Sequence, residues 1–103
     1  MAEPTRIRAT QKDGVADVRV RMAHANESGQ RKDPAGKPVP AWYISDLTVS
    51  LNGRPVMQAQ LGPAVSRNPY LRLRIAGVKP GDRIAIDWVD TRGDRRHDEA
   101  AVS

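Results

Sequence analysis

The sequence predicts an all-β protein with an immunoglobulin-like antiparallel β-sandwich of about seven strands. Short segments in which apolar and polar residues alternate indicate half-buried strands. Turn residues such as Asn-Gly and Pro-Gly separate these segments, and no stretch has the spacing of an amphipathic helix. This pattern is typical of a two-sheet sandwich. A small closed barrel is the alternative architecture.

The clearest element is a predicted hairpin within residues 42–61, centred on Asn52-Gly53, the preferred pair for a turn with positive φ at both central residues. A simple two-residue loop would lay the apolar stripe of one strand against the polar stripe of the other. We therefore expect a bulge or a three-residue loop around Arg54-Pro55, where proline cannot donate to a ladder. The expected pairs are Val49 with Met57 and Leu47 with Ala59.

The other elements follow in chain order. Alternation predicts a first strand around Ile7 and Ala9, a turn at residues 12–14 and a second strand over 15–23. These two strands are expected to form a hairpin or to lie as neighbours in opposed sheets. Residues 24–40 form a loop, and 62–69 a crossover. Further strands are predicted over 71–75, 84–90 and 95–102, separated by turns at 79–82 and 91–94. Trp42 and Trp88 are expected near the middle of the sandwich.

Composition limits the possible functions. The 103 residues include no cysteine, which excludes a disulfide, a thiolate nucleophile and a cysteine-ligated metal. No apolar run is long enough for a membrane span, and the N-terminal residues lack the apolar core of a secretory signal. Phenylalanine is absent, so the core must consist mainly of Val, Ile, Leu, Ala and Met.

The loop over residues 24–40 is longer than most connections in compact domains, and such loops are usually functional or disordered. His24, Glu27 and Asp33 lie in it, and His97 could join them, but their spacing matches no metal-ligand template. A hydrogen-bonded loop histidine is the favoured interpretation. We predict no metal site.

Catalytic motifs are also absent from the predicted loops. Gly29 to Lys37 resembles a phosphate-binding loop only superficially, because six residues separate the glycines and no helix follows. Ser28 and His24 share a loop, but nothing orients the histidine as a base. Arg92-Gly93-Asp94 fits a tight turn. We expect no catalytic residue, no cofactor and no enzymatic activity.

Arginines occupy polar positions of three predicted strands, and the formal net charge is +5. One interpretation is a solvated face that prevents indiscriminate edge pairing. The other is a surface for phosphates or for an acidic protein. A free-standing basic β-module that binds nucleic acid or another polyanion is therefore the alternative function, although exposed aromatics for base stacking are lacking. The residues are Arg6, Arg8, Arg19, Arg21, Arg72 and Arg74.

Several motifs along the chain are more specific than the alternation of strands. The most specific are Glu27-Ser28-Gly29-Gln30-Arg31-Lys32-Asp33 and Ala64-Val65-Ser66-x-Asn68-Pro69-Tyr70, and Asn52 to Val56 and Trp88-Val89-Asp90 add to them. Together these motifs resemble the SoxZ family of sulfur-oxidation proteins, and the resemblance runs from about Arg6 to Val102. The strand over residues 70–76 has fewer aromatic residues than we expect for the family. The resemblance implies one SoxZ-like β-sandwich domain over residues 1–103.

The resemblance also implies a function. Proteins of this family form a heterodimer or heterotetramer with SoxY, whose C-terminal cysteine carries the sulfur intermediate of thiosulfate oxidation, and they contact other Sox enzymes transiently. Neither nucleic acid nor membrane is expected as a partner. A periplasmic location is implied, with export together with SoxY. We expect the SoxY contact on the strands of residues 47–61. Expected partner-binding residues are His24, Glu27, Gln30, Arg31, Lys32, Asp33, Asn68, Pro69 and Tyr70.

Overall fold

The computed structural model describes residues 3–103, which form seven β-strands. No helix is present in this part of the chain, and so none that could cross a membrane. The strands form two antiparallel sheets, which makes the fold an immunoglobulin-like sandwich and excludes the closed barrel. The strands are β1 (Arg6–Lys12), β2 (Val15–Arg21), β3 (Ile44–Leu51), β4 (Arg54–Gln60), β5 (Tyr70–Ala76), β6 (Arg83–Asp90) and β7 (Arg95–Ala101).

The smaller sheet has the strand order β1-β2-β5, and the larger has the order β4-β3-β6-β7. The first two strands thus form a hairpin within one sheet, through a turn in which Asp13 and Gly14 both have positive φ. The chain then crosses to the larger sheet through the long loop, and it returns to the smaller sheet at β5. The segments over residues 22–43 and 61–69 both lie at these crossings.

The β3–β4 hairpin has the register that the apolar pattern requires. Asn52 and Gly53 form the turn with φ values of 50° and 81°, and Leu51 pairs with Arg54. The register then shifts by one residue, because Ser50 pairs with Pro55 and Val49 with Met57. Val56 is the extra residue on β4. The predicted bulge and both predicted apolar pairs are therefore confirmed.

The core lies between the two sheets. Its largest fully buried side chains come from β2, β3 and β6 and from the segments that follow β2 and β5, with Trp88 the bulkiest. Trp88 is 1% exposed, as expected for a core residue. Trp42 lies elsewhere: it precedes β3 and is half-buried at the loop end of the sandwich, where its indole N–H has a polar partner. The core residues are Ala9, Ala16, Val18, Val20, Met22, Ile44, Leu47, Val49, Leu51, Val78, Ile84, Ile86, Trp88 and Val102.

The two long sides of the sandwich differ. On one side, β1 packs against β7, and the C-terminal Ser103 exchanges backbone hydrogen bonds with Ala9 and Gln11. On the other side lie β4 and β5, the second edge strand of each sheet. Their inward side chains pack against the core but stay partly exposed. We call this row the β4–β5 seam, and it consists of Met57, Ala59, Leu61, Leu71, Leu73 and Ile75.

Candidate functional site

The two segments that carry the most specific motifs meet at one end of the sandwich. The amide of His24 donates to Oδ1 of Asn68 over 3.0 Å, and the amide of Asn68 donates to the carbonyl of His24 over 2.8 Å. The side-chain amide of Asn26 donates to the carbonyl of Val65 over 3.3 Å, and the amide of Met22 to the carbonyl of Pro69 over 2.9 Å. These bonds fix the base of the long loop on the crossover that precedes β5.

His24 points into the protein from the end of β2. Its Nδ1 accepts a hydrogen bond from the amide of Asn26 over 3.0 Å, so the proton of the neutral imidazole lies on Nε2. Nε2 lies 3.0 Å from Oδ2 of Asp90 and donates to it. Because both ring nitrogens already have partners, the imidazole positions the loop and has no nitrogen free to act as a base.

Asp90 is the centre of this network, and its side chain is 0% exposed. Oδ2 also accepts from the indole N–H of Trp42 over 2.7 Å, while Oδ1 accepts from the amides of Arg92 and Asp94, each over 2.9 Å. Burial alone would raise the pKa of Asp90, but these hydrogen bonds, beginning with that of His24, lower it below its usual value. A buried carboxylate thus joins the start of the loop, the segment that precedes β3 and the turn after β6.

The loop beyond this network is folded upon itself. Lys32 forms an isolated bridge with Pro38, and the amide of Val39 donates to the carbonyl of Arg31 over 2.8 Å. At the tip, Oδ1 of Asp33 accepts from the amides of Ala35 and Lys37, each over 2.9 Å. The carboxylate of Asp33 therefore shapes a small hairpin over residues 31–39.

Glu27 and Arg31 form a bidentate ion pair beside this small hairpin, with distances from 2.7 to 3.1 Å. The hydrogen bond from Arg31 lowers the pKa of the Glu27 carboxyl, and the nearby Arg67 of the crossover lowers it further. Backbone bonds between Glu27 and Trp42 close the loop next to β3. At Gly29, φ is 89° and an added Cβ would lie 3.2 Å from that of Ala41, so both conformation and space favour glycine.

The structure brings most of the expected partner-binding residues together, but these residues differ in how far they are exposed to solvent. Gln30, Arg31, Lys32 and Asn68 are exposed and Asp33 is half-buried. His24 and Pro69 are buried, so they support the site from within. Tyr70 is 52% exposed on β5, where the guanidinium of Arg21 lies 5.4 Å from its ring centroid. The partner-binding role of these residues stays a prediction.

The residues considered for metal binding do not converge. His97 lies on β7, where Nδ1 is 2.5 Å from Oδ1 of Asp87 and Nε2 is 3.6 Å from Glu99. The hydrogen bond with Asp87 raises the pKa of His97. Within residues 3–103, no three His, Asp or Glu side chains are grouped as metal ligands would be.

Sequence reasoning missed Asp90 as the centre of the site, although a signal was available. Ile84, Ile86 and Trp88 face the core, and Asp90 has the same parity along β6. A carboxylate placed inward by a strand requires several donors, since burial of an unpaired charge is costly. The donors themselves, Trp42 and His24, are 48 and 66 residues away along the chain, and no local pattern indicates them.

Comparison with protein families gives a match over most of the chain. The family model of the sulphur oxidation protein SoxZ matches residues 5–101. This match includes the long loop, the crossover and all seven strands. No curated protein matches the chain.

Proposed function

The chain belongs to the SoxZ family of sulfur-oxidation proteins, and from this membership we propose that it is the non-catalytic subunit of a SoxYZ-like sulfur-carrier complex. In this proposal it binds a SoxY-like protein, whose C-terminal cysteine carries the sulfur intermediate, and helps to present that intermediate to the Sox enzymes. The chain contains no cysteine and cannot carry the sulfur on a thiol of its own. The SoxY-like subunit supplies the reactive group.

The β4–β5 seam is the observation that supports a stable partner most strongly. On β1, Ala9 is buried and Ile7 is the one apolar side chain that is partly exposed, whereas the β4–β5 seam is a row of six partly exposed apolar side chains. Val56, which is 41% exposed, lies on the same edge strand. Stable interfaces bury about 800 Å² on each partner and are apolar at their centre. We propose that the SoxY-like subunit covers this seam, which includes part of the hairpin expected from the sequence.

The folded loop at the end of the sandwich supports a second role. Its position is fixed by Asp90, Asn68 and Asp33, and it exposes Gln30, Arg31 and Lys32 to solvent. A rigid polar loop of this kind suits contacts that orient a partner. We propose that it lies near the carrier arm of the SoxY-like subunit or near the enzymes that dock there.

A substitution in the edge strand tests the interface. We expect Val56→Glu to reduce retention of a co-expressed SoxY-like protein at least tenfold, because it places an unpaired carboxylate in an apolar contact. Val15→Glu is the matched control, since Val15 is 40% exposed but lies on the other sheet. Equal retention by the two variants would contradict an interface at the seam.

The loop is tested separately, by variants that the structure distinguishes. The side chain of Lys32 is exposed, so Lys32→Glu reverses a charge while leaving the bonds of the loop intact. Asp33→Ala instead removes the acceptor that shapes the tip. We expect both variants to keep the SoxY-like partner and to slow thiosulfate turnover in the reconstituted system. Unchanged turnover in both would make the loop a simple connection.

We further propose a periplasmic location, reached by export of the folded chain together with the SoxY-like subunit. The proposal rests on family membership and on the expected partnership. Cell fractionation with and without the partner tests it. The chain should leave the cytoplasm only when the partner is expressed with its export signal, and export of the chain alone would contradict the proposal.

A further inference from the structure

The six arginines identified in the sequence lie on one surface, the outer face of the β1-β2-β5 sheet. The register places Arg6, Arg21 and Tyr70 in one row across the three strands, and Arg8, Arg19 and Arg72 in the row two residues further along. Arg74 lies opposite Asp17 in the next row, and Lys12 ends the face. All of these basic residues are exposed. We call this surface the arginine face.

The positive charge of the chain is concentrated on this surface. The arginine face carries seven cations and one carboxylate, Asp17, a surplus of six positive charges. The whole chain has a formal net charge of +5, so its other residues together carry a net charge of −1. Like charges on neighbouring strands repel each other and destabilise a sheet. The concentrated positive charge therefore destabilises the isolated fold, and binding of an anionic partner would reduce this repulsion.

Asp17 neutralises only the centre of the face. It receives a bidentate pair of bonds from Arg72 over 2.9 and 3.1 Å, and Arg19 lies 3.6 Å away. Within residues 3–103, no carboxylate lies at ion-pair distance from the four other arginines of the face. These four are Arg6, Arg8, Arg21 and Arg74.

The chemistry of the face fits an acidic protein better than a nucleic acid. Two apolar side chains stand at its opposite ends, Tyr70 at 52% exposure and Val15 at 40%. Tyrosine and arginine are enriched in protein interfaces. The ring of Tyr70 is occupied by Arg21, and no second exposed aromatic lies on this face to stack a base.

The size of the face indicates a transient contact. Three strands about 4.8 Å apart, with seven residues that each rise about 3.3 Å, give a surface of roughly 15 by 23 Å. This is smaller than the patch of about 800 Å² that each partner of a stable complex buries. Charged surfaces of this kind increase association rates more than they increase affinity.

The arginine face also adjoins the candidate site. Its first row lies where β2 leads into the long loop and where β5 follows the crossover. A shallow cleft there is lined by two cations and one carboxylate together with neutral residues, namely Arg6, Arg21, Glu3, Pro4, Met22, Ala23 and Asn68. A protein that reaches the loop end of the sandwich is therefore close to this row. The seam and the arginine face share β5, whose inward side chains belong to the seam and whose outward side chains belong to the face. The cations on β1 and β2 lie further from the seam, so they can bind a second protein while the seam is covered.

We propose that the arginine face is a docking surface for an acidic patch on the enzymes that act on the sulfur carrier. This inference rests on the proposed function and adds the chemical character of the second, transient partner. The stable subunit occupies the apolar seam, and the enzymes approach the basic sheet by electrostatic attraction.

The test compares two triple variants that each remove three positive charges. The face variant is Arg6→Gln/Arg8→Gln/Arg74→Gln, and the control is Lys79→Gln/Arg83→Gln/Arg95→Gln, at exposed positions off both the face and the seam. Steady-state turnover by the reconstituted enzymes is measured with each complex as substrate. At low salt we expect the face variant to raise KM about tenfold with little change in kcat, and the control to stay within twofold. In high salt, which screens exposed charges, the difference should disappear.

The isolated chain gives a second measurement that does not depend on the SoxY-like subunit. Poly-L-glutamate should bind the chain and the control variant, and bind the face variant at least fivefold more weakly. Equal KM values for the two complexes at low salt would overturn the inference. If the face variant lost binding to a duplex DNA while its KM stayed unchanged, the face would bind nucleic acid and the inference would also be overturned. Failure of the SoxY-like protein to copurify would instead contradict the proposed function, while poly-L-glutamate binding would still test the face.

Discussion

The carboxylate of Asp90 is removed from water and depends on four donors from three separate segments of the chain. Its inward orientation follows from the parity of β6, and that of His24 from the parity of Val18, Val20 and Met22 in and after β2. Strand parity is thus a signal for the burial of both groups, although their burial was not among the expectations from the sequence. Parity does not predict that they meet, because their contact depends on how the two sheets pack. Local patterns give the orientation of each residue, and only the packing of the two sheets brings the two residues together.

Replacing Asp90 by asparagine tests the network. The NH2 group of the introduced side chain, in either orientation, would face two of the four donors, and a change of the His24 tautomer would only move the conflict to the amide of Asn26. We expect Asp90→Asn to lower the free energy of unfolding by about 2–4 kcal/mol. Asp13→Asn, the same change at an exposed turn, should be nearly neutral. Urea denaturation of both variants checks this, and equal stabilities would show that the network contributes little.

The lowered pKa of Asp90 gives a pH dependence of known sign. A carboxyl group with a lowered pKa in the folded state stabilises the fold above its unfolded pKa, here the ordinary value of 3.8. This contribution is lost as the pH falls through the folded pKa. Asp17, Glu27, Asp82 and Asp98 also have lowered pKa values, so the wild type loses stability in acid for several reasons.

The contribution of Asp90 is isolated by comparing the wild type with Asp90→Asn. Between about pH 5 and pH 2, the unfolding free energy of the wild type should fall more steeply than that of the variant. His97, whose pKa is raised from 6.5 mainly by its hydrogen bond with Asp87, titrates above this range. Parallel curves for the two proteins would show that Asp90 does not titrate differently on folding.

At the scale of elements, the β3–β4 hairpin follows most directly from the sequence. Its turn and its register could be predicted because both depend on local residues: Asn52-Gly53 sets the turn, and side-chain parity requires the extra residue at Val56. The long loop over residues 24–40 could not be predicted beyond its existence. Its shape depends on side-chain bonds such as those of Asp33 to the backbone and on contacts with Val65 and Asn68, which are far away in sequence.

Glycine at the hairpin turn is open to a matched test. Gly53 has a φ of 81°, and Gly62 does not have a positive φ; neither has an atom within 4 Å of an added Cβ. The two sites thus differ in conformation and not in space. We expect Gly53→Ala to cost about 1–2 kcal/mol of stability and Gly62→Ala to be neutral or slightly stabilising. Thermal melts that shift equally in both variants would contradict the positive-φ explanation.

At the scale of the whole molecule, the fold separates three surfaces: an apolar seam at β4 and β5, a polar loop end, and a basic sheet. Alternation in the sequence predicts that the arginines of each of these strands face away from the core. It does not predict that β5 pairs with β2, which is what gathers all six arginines on one face. Nor does it predict that β1 packs against β7 on one long side, while the inward side chains of β4 and β5 stay partly exposed on the other. Strand order is a property of the global fold, and both proposed interfaces depend on it.

The most direct test of a binding role is the mass of the particle formed when the chain is co-expressed with a SoxY-like protein, measured by light scattering during gel filtration. We expect one stable species with the two proteins in equal amounts, retained in both low and high salt because the seam is apolar. Elution of the chain at its own mass of 11.3 kDa, with the SoxY-like protein in a separate peak at both salt concentrations, would contradict it.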